Sequence, residues 1–528
     1  MTMSKRTIIL TVLDGWGIGR SDESNPIYVV NPPTINYLKA NFPSGSLQAS
    51  GISVGLPWGE EGNSEIGHLN LGAGRVIYQP YPRISLAIRD NSFFQNPALK
   101  NAFEHTKKYG SAINLVGLLS AGNVHASLEH LSALIEFAKK ENVPQLNLHL
   151  FTDGRDSPPK SALDLLAQLP IGNLSVDSHY QLASLSGRFY AMDREGYWER
   201  TKKVYEVLIG EGPVTDNIAN HIKKTYERKL SDEFVEPVML ISPMGSIGSI
   251  KNNDSIIFFN FREDRIRQLA AAFIDRNFSK FPIKPLNNLY IVTMTQYDKS
   301  FDVPVAFPPE KIETCLGKVL SDKGKIQLRI AETQKYPHIT YFFNGMREEP
   351  FKNEYRILIP SRAIARQDEH PEMMAYEITQ RVVESISEGV FDFILINYAN
   401  PDIIAHTGNY EACLQVVKII DEQIDKLVKT ALEYNAILII TSDHGNIERL
   451  FDPLTGLPET QHDPNPVPIY LVAKEFRRPR NEVEIQKAEK ESIGILADVA
   501  PTILELMGIP KPKEMTGQSL LRLLISNL

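Results

Sequence analysis

Only two cysteines occur in 528 residues, Cys315 and Cys413. They form no disulfide framework and no metal-ligand spacing, so a stapled secreted scaffold is excluded and a reducing cytoplasm fits. Long apolar runs are also missing. The run at 8–13 is too short for a signal peptide or a membrane span, and no other stretch approaches the roughly 18 apolar residues a span requires. Low-complexity tracts and fixed-period repeats are absent, which excludes a solenoid. There is no basic excess either. The formal net charge is -8, which argues against nucleic acid as a partner. An acidic small molecule remains possible, because a basic pocket can sit in an acidic protein.

What is present suits a globular chain of two or three domains. Residues 7–13, 393–397 and 436–441 are short, nearly continuous apolar runs. Such runs read as strands of a parallel sheet covered on both faces. Between the last two, Val417, Ile420, Ile424, Leu427 and Ala431 step by three and four residues along one helix face. Strand, helix and strand in that order make a crossover unit. Residues 113–119, 146–151, 180–185 and 255–259 repeat the logic, with a helical pattern at 128–140. The expected fold class is therefore α/β, with a second α/β domain inserted into the first. Two proline-rich segments, 79–83 and 306–310, are expected to be extended connectors.

Polar chemistry collects where the apolar runs stop. Asp14 follows the first, Asp402 and His406 the second, Asp443 and His444 the third, and His462 lies in a later loop. Ligands of open parallel sheets bind beyond the carboxyl ends of strands. Each residue alone has an ordinary reading: Asp14 as a turn former, Asp443 to Gly445 as a turn, Asp402 and His406 as an i,i+4 helix contact. Together they offer three carboxylates and three imidazoles, a donor set suited to two divalent ions.

The segment 62–74 is glycine-rich, with Ser64 at an expected helix start and Asn63 as its N-cap. Free N–H groups there favour an anion. A serine hydroxyl beside a cation would be a nucleophile toward phosphorus; the simpler reading is that Ser64 only caps the helix. In the middle of the chain, His125 follows one strand, Arg155 and Asp156 a second, Arg188 and Arg194 a third, Arg262 and Arg265 a fourth. Arginine forks at neighbouring strand ends suit carboxylate or phosphate, although a single arginine more often makes a surface ion pair.

These residues lie in a series of motifs: LDGWG at 13–17, NSEIGH at 63–68, TDGRD at 152–156, SGRFYAMDR at 186–194, NFREDR at 260–265, AETQKY at 331–336, NPD at 400–402, SDHGN at 442–446 and NPVP at 465–468. In order and spacing, over nearly the whole chain, the series resembles the cofactor-independent phosphoglycerate mutases of the alkaline phosphatase superfamily. The resemblance implies a phosphatase-like metal domain at 1–78 and 312–528, and an inserted phosphotransferase domain at 79–311. It implies one ion held by Asp402, His406 and His462, and another by Asp14, Ser64, Asp443 and His444. Manganese is the first expectation, with zinc, cobalt or magnesium as alternatives, and no 2,3-bisphosphoglycerate. Substrate contacts would fall on His125, Arg155, Asp156, Arg188, Arg194, Arg262, Arg265 and Lys335. A cytoplasmic monomer acting on 3-phosphoglycerate and 2-phosphoglycerate through phosphorylated Ser64 follows from the same resemblance. Lys335 would stabilise phosphoryl charge while His125 and Asp156 handle hydroxyl protons. Two departures stand out: Ala121, where the family usually has an acidic residue before His125, and Met346, where a second glycine is common. The rival expectations are a phosphohydrolase sharing Ser64 and the ions, and a phosphometabolite sensor without turnover.

Overall fold

The computed structural model describes residues 6–170, 179–242, 245–246 and 248–525. The chain forms two compact units, residues 1–79 with 310–528, and residues 80–309. The expected boundaries were 78/79 and 311/312.

The outer unit is built on an eight-stranded sheet. Its spatial order is Glu354–Ile359, Gln327–Glu332, Phe393–Tyr398, Ile8–Leu13, Ile437–Thr441, Val467–Val472, Ser44–Gln48 and Ser492–Ile495. The first five strands are parallel, and Val467–Val472 runs against its neighbours on both sides. Alternate residues bury on opposite faces. Ile9, Ile394, Ile396 and Leu438 pack with Ile420, Ile424 and Leu427 of the Tyr410–Glu433 helix. Ile8, Leu10, Leu395 and Ile439 pack with Ile503 and Leu504 of the Val499–Leu506 helix. A sheet buried on both faces needs nearly continuous apolar strands, which is what the sequence shows. The Tyr410–Glu433 helix buries the whole stripe read from spacing, and its Asn409 side chain accepts from Ala412 N–H as an N-cap.

The inserted unit carries a second parallel-rich sheet. Tyr290–Thr293, Ser255–Phe258, Ala112–Leu119, Gln145–Thr152 and Tyr180–Gly187 are parallel in that spatial order, and Val238–Ser242 then pairs antiparallel. The Leu128–Lys140 helix packs into the same core through Leu131, Leu134 and Phe137.

One expectation fails here. Residues 79–83 do not form an extended connector, because a helix runs from Pro80 to Arg89. Both prolines sit in its first turn, where the missing N–H has no intrahelical partner to lose. The segment 306–310 holds neither helix nor strand. Among the described residues, no helix is long and apolar enough to cross a membrane.

Candidate functional site

Four neighbouring parallel strands of the outer unit end at one place. Asp14 follows Ile8–Leu13, Asp402 and His406 follow Phe393–Tyr398, Asp443 and His444 follow Ile437–Thr441, and Lys335 follows Gln327–Glu332. Ser64 enters at the N-terminus of the Ser64–Ala73 helix. The Asn63 side chain caps that helix by accepting from Ile66 N–H.

The side chains interlock. Ser64 Oγ donates to Asp14 Oδ1 at 3.0 Å, and His444 Nε2 lies 2.9 Å away. Lys335 Nζ donates to Asp14 Oδ1 and Asp402 Oδ2, both at 2.6 Å, and to Ser64 Oγ at 2.7 Å. Burial opposes charge on Asp14 and Asp402. The Lys335 ammonium overcomes it and holds both carboxyls well below the usual range. In return, burial opposes the Lys335 charge while Asp14 and Asp402 raise its pKa. Burial also opposes charge on His444, yet Asp443, Asp14 and Asp402 push it up to about 10.

The cation donors fall into two trios, Asp402–His406–His462 and Asp14–Asp443–His444, each with ligand atoms within 4.8 Å of one another. The first trio fits a divalent ion in detail. His406 Nδ1 bonds Thr460 O at 2.7 Å and His462 Nδ1 bonds Gly62 O at 2.7 Å. A carbonyl only accepts, so each Nδ1 carries a proton, and in the neutral ring each Nε2 turns its lone pair toward Asp402. Those two nitrogens lie 3.1 Å apart, each 3.2 Å from Asp402 Oδ1. In the second trio, Asp443 Oδ2 is buried with no hydrogen-bond partner among the described residues. Lone pairs aimed at one another are costly unless a cation lies between them.

Two residues at this site carried no role in the sequence reading. Asn397 Nδ2 donates to Asp14 Oδ2 at 2.7 Å and lies 3.0 Å from His68 Nε2. His68 Nδ1 bonds Ser64 O at 2.9 Å and is 3.1 Å from Asp443 Oδ2. The i,i+4 spacing of Ser64 and His68 was the available signal, since it folds the ring back over the first helical turn.

In the inserted unit, Arg155, Arg188, Arg194 and Arg265 line one cleft of about 350 Å³, together with Arg200, Asp193, Glu195 and Glu233. Arg188 is buried, and its NH1 reaches Asp153 Oδ1 and Asp156 Oδ2 at 2.6 Å each. That one nitrogen is therefore already engaged by two carboxylates. His125 and Arg262 are not among the cleft-lining residues. Asp264 links them to it, meeting His125 Nδ1 at 3.5 Å, Arg262 Nε at 3.3 Å and Arg194 NH1 at 2.6 Å. Burial, followed by the Arg188 charge, pulls His125 down to about 4, so its imidazole is neutral at neutral pH. Arg265 has no carboxylate partner within 4.0 Å among the described residues. Burial and the charges of Arg194 and Arg188 lower its pKa. A cation in that position gains most from an incoming anion.

The two departures are also placed. Ala121 is exposed, and its N–H bonds Ser157 Oγ at 2.8 Å. Met346 keeps a left-handed backbone, φ 64°, directly after Gly345 at φ 73°.

Comparison with known proteins follows the same lines. A family model described as BPG-independent PGAM N-terminus (iPGM_N) matches residues 84–299. The 2,3-bisphosphoglycerate-independent phosphoglycerate mutase 1 of Methanosarcina barkeri is 44% identical over 525 residues, covering 99% of each chain. The 2,3-bisphosphoglycerate-independent phosphoglycerate mutase of Clostridium novyi is 44% identical over 524 residues, covering 98% of this chain and 100% of its own. A crystal structure of Leishmania mexicana phosphoglycerate mutase at low cobalt concentration superposes with a TM-score of 0.51 at 27% identity, covering 98% of each chain.

Proposed function

The chain belongs to the 2,3-bisphosphoglycerate-independent phosphoglycerate mutases, a family of isomerases, and from that membership we propose that it interconverts 3-phosphoglycerate and 2-phosphoglycerate through a phosphorylated Ser64. The observation that carries the proposal is the position of Ser64 Oγ, within 3.0 Å of Asp14, His444 and Lys335 at a helix N-terminus.

Ser64 Oγ forms its bond to phosphorus as the bond from phosphorus to the C3 oxygen breaks. The helix N-terminus and the Lys335 ammonium favour the phosphoryl charge. Lys335 serves as a fixed charge and not as an acid, because its carboxylate neighbours raise its pKa. Divalent ions bound by the two trios, with Mn²⁺ the first choice, would ease loss of the Ser64 proton and offset phosphoryl charge. The proton that Ser64 gives up ends on the C3 oxygen as it leaves, and the proton that the 2-hydroxyl gives up in the second transfer ends on Ser64; His125, neutral at working pH, and Asp156 beside Arg188 handle the protons of the glycerate hydroxyls. Arg155, Arg194, Arg262 and Arg265 hold the glycerate carboxylate. The 2-oxygen then attacks phosphorus, and Ser64 leaves with its hydroxyl restored. No bisphosphorylated cofactor enters this cycle. The two free, buried cysteines suit a cytoplasmic setting, and a monomer acting on a small molecule is sufficient for every step.

The test is an enolase-coupled assay on metal-stripped protein, with divalent ions added back and no 2,3-bisphosphoglycerate. Activity should return with Mn²⁺ in the wild type. Ser64→Ala should stay inactive while still binding the ions. Turnover by Ser64→Ala would remove the phosphoserine step.

A further inference from the structure

Glu448 is a buried carboxylate that the reaction does not use. It is 1% exposed, and no lysine, arginine or histidine pairs with it among the described residues. An ionised carboxylate in such a place is costly unless N–H groups satisfy it. Glu448 Oε2 accepts from Gly17 N–H at 2.9 Å and from Asn446 N–H at 2.8 Å, and Oε1 accepts from Asn465 Nδ2 at 3.4 Å.

Those three donors lie on two inter-strand connections. Gly17 is in the one that carries Asp14, whereas Asn446, beside Asp443 and His444, and Asn465, beside His462, lie near opposite ends of the single connection 442–466, which also carries Glu448. The linkage reaches a fourth ligand, because Asn446 Nδ2 donates to Asp402 Oδ1 at 2.8 Å. Backbone bonds alone tie these segments at few points: Ile447 N–H to Gly15 O at 2.9 Å, Ile18 N–H to Pro466 O at 2.8 Å and Asp463 N–H to Gly445 O at 2.9 Å. The Glu448 carboxylate is packed between them. A Cβ added at Gly17 or at Gly445 would collide with Glu448 Oε1 and displace the carboxylate, so glycine at both positions permits the close approach.

We infer that Glu448 is a positioning residue that holds the Asp14, Asp443–His444 and His462 segments at the mutual spacing two divalent ions require. The inference rests on the two-ion reading above. The carboxylate acts through backbone and amide donors and touches neither ion nor substrate, so its effect appears in ion affinity before it appears in chemistry. Both backbone N–H groups donate to the same oxygen, Oε2, so a methionine of similar length, which has neither oxygen, leaves the Gly17 and Asn446 N–H groups without their acceptor while most of the packing volume is kept.

Mn²⁺ binding to the metal-free full-length protein, followed by the electron paramagnetic resonance signal of free Mn²⁺, tests the idea without turnover. Wild type should bind two equivalents. Glu448→Met should bind Mn²⁺ about 10–100-fold more weakly with an unchanged far-UV circular dichroism spectrum. Gly17→Ala keeps Glu448 but displaces its carboxylate. It should weaken Mn²⁺ in the same direction, and it covers the case in which Glu448→Met does not fold. Wild-type Mn²⁺ affinity in either folded variant would overturn the inference, leaving Glu448 a packing group only. A wild type that binds fewer than two equivalents would instead overturn the two-ion reading, and this inference with it.

Discussion

Lys335 shows how strongly single residues are coupled at this site. Its ammonium lies 2.6 Å from carboxylate oxygens of both Asp14 and Asp402, and all three side chains are buried. Breaking such a set by removing one partner typically costs about 3–5 kcal/mol, because the remaining charges lose their compensation. Lys335→Met should therefore lower the thermal midpoint of the metal-free protein. Mn²⁺ should then raise the midpoint more in the variant than in the wild type, since the ions offset the same two carboxylates. Equal gains would show that ammonium and ions do not share that task. Met346 offers a separate test. Its side chain is exposed, and its φ of 64° is left-handed, a conformation that costs a non-glycine residue about 1–2 kcal/mol. Met346→Gly should stabilise the protein by up to about 1 kcal/mol in urea unfolding once the added freedom of the unfolded chain is deducted. A loss would mean that the Met346 side chain makes compensating contacts. At this scale the chemistry-bearing residues were legible because charge beyond an apolar strand has few ordinary explanations. Asn397 and His68 were not. An asparagine closing a buried strand and a histidine inside a helix both have common structural uses, and only contacts across more than 300 residues show which carboxylates they serve.

Element by element, legibility followed burial. Ile8–Leu13, Phe393–Tyr398 and Ile437–Thr441 are buried on both faces, so their apolar runs announced them. The flanking strands Ser44–Gln48, Glu354–Ile359 and Ser492–Ile495 are partly exposed and mix polar with apolar residues, so no continuous apolar run spans them. Val467–Val472 carries Pro468, a residue that weighs against a strand within a sheet. The Pro80–Arg89 helix was hidden for a related reason, since proline breaks a helix interior but suits a first turn. Two histidines on legible elements of the inserted unit link these elements to pH. His130 on Leu128–Lys140 and His149 on Gln145–Thr152 are both pulled down to about 3 by burial. The unfolded chain takes up these protons near the usual pKa of 6.5, whereas the folded chain resists them. Their contribution to stability is therefore complete above about pH 6.5 and is lost as pH falls from there toward 3, at roughly 1.4 kcal/mol per pH unit for each. Urea unfolding of wild type at pH 7, 6 and 5 should show this fall, and His149→Gln should reduce the slope. An unaltered slope would place the acid sensitivity elsewhere.

At the scale of the whole molecule, the proposed Ser64 nucleophile would serve a phosphatase as well as a mutase, and the difference would lie in what happens to glycerate while phosphorus is on Ser64. A phosphatase lets glycerate go and admits water. A mutase retains glycerate until the 2-oxygen attacks. The outer unit holds Ser64 and the two donor trios, and the inserted unit holds the arginine-lined cleft. On the proposed reaction, retention is therefore assigned to residues that have no part in forming phosphoserine. Arg265 is the sharpest probe, because it is half-buried among like charges without a carboxylate partner within 4.0 Å among the described residues. A charge-assisted hydrogen bond contributes about 1.5–3 kcal/mol, so Arg265→Ala should slow formation of 2-phosphoglycerate by roughly 10–150-fold. The phosphoryl group that has already reached Ser64 then has water as its alternative acceptor. Inorganic phosphate released per 2-phosphoglycerate formed should rise above the wild-type ratio when both products are measured in one reaction. A slower enzyme with an unchanged ratio would confine Arg265 to the first encounter with substrate. An unchanged rate would assign the glycerate carboxylate to other arginines of the cleft.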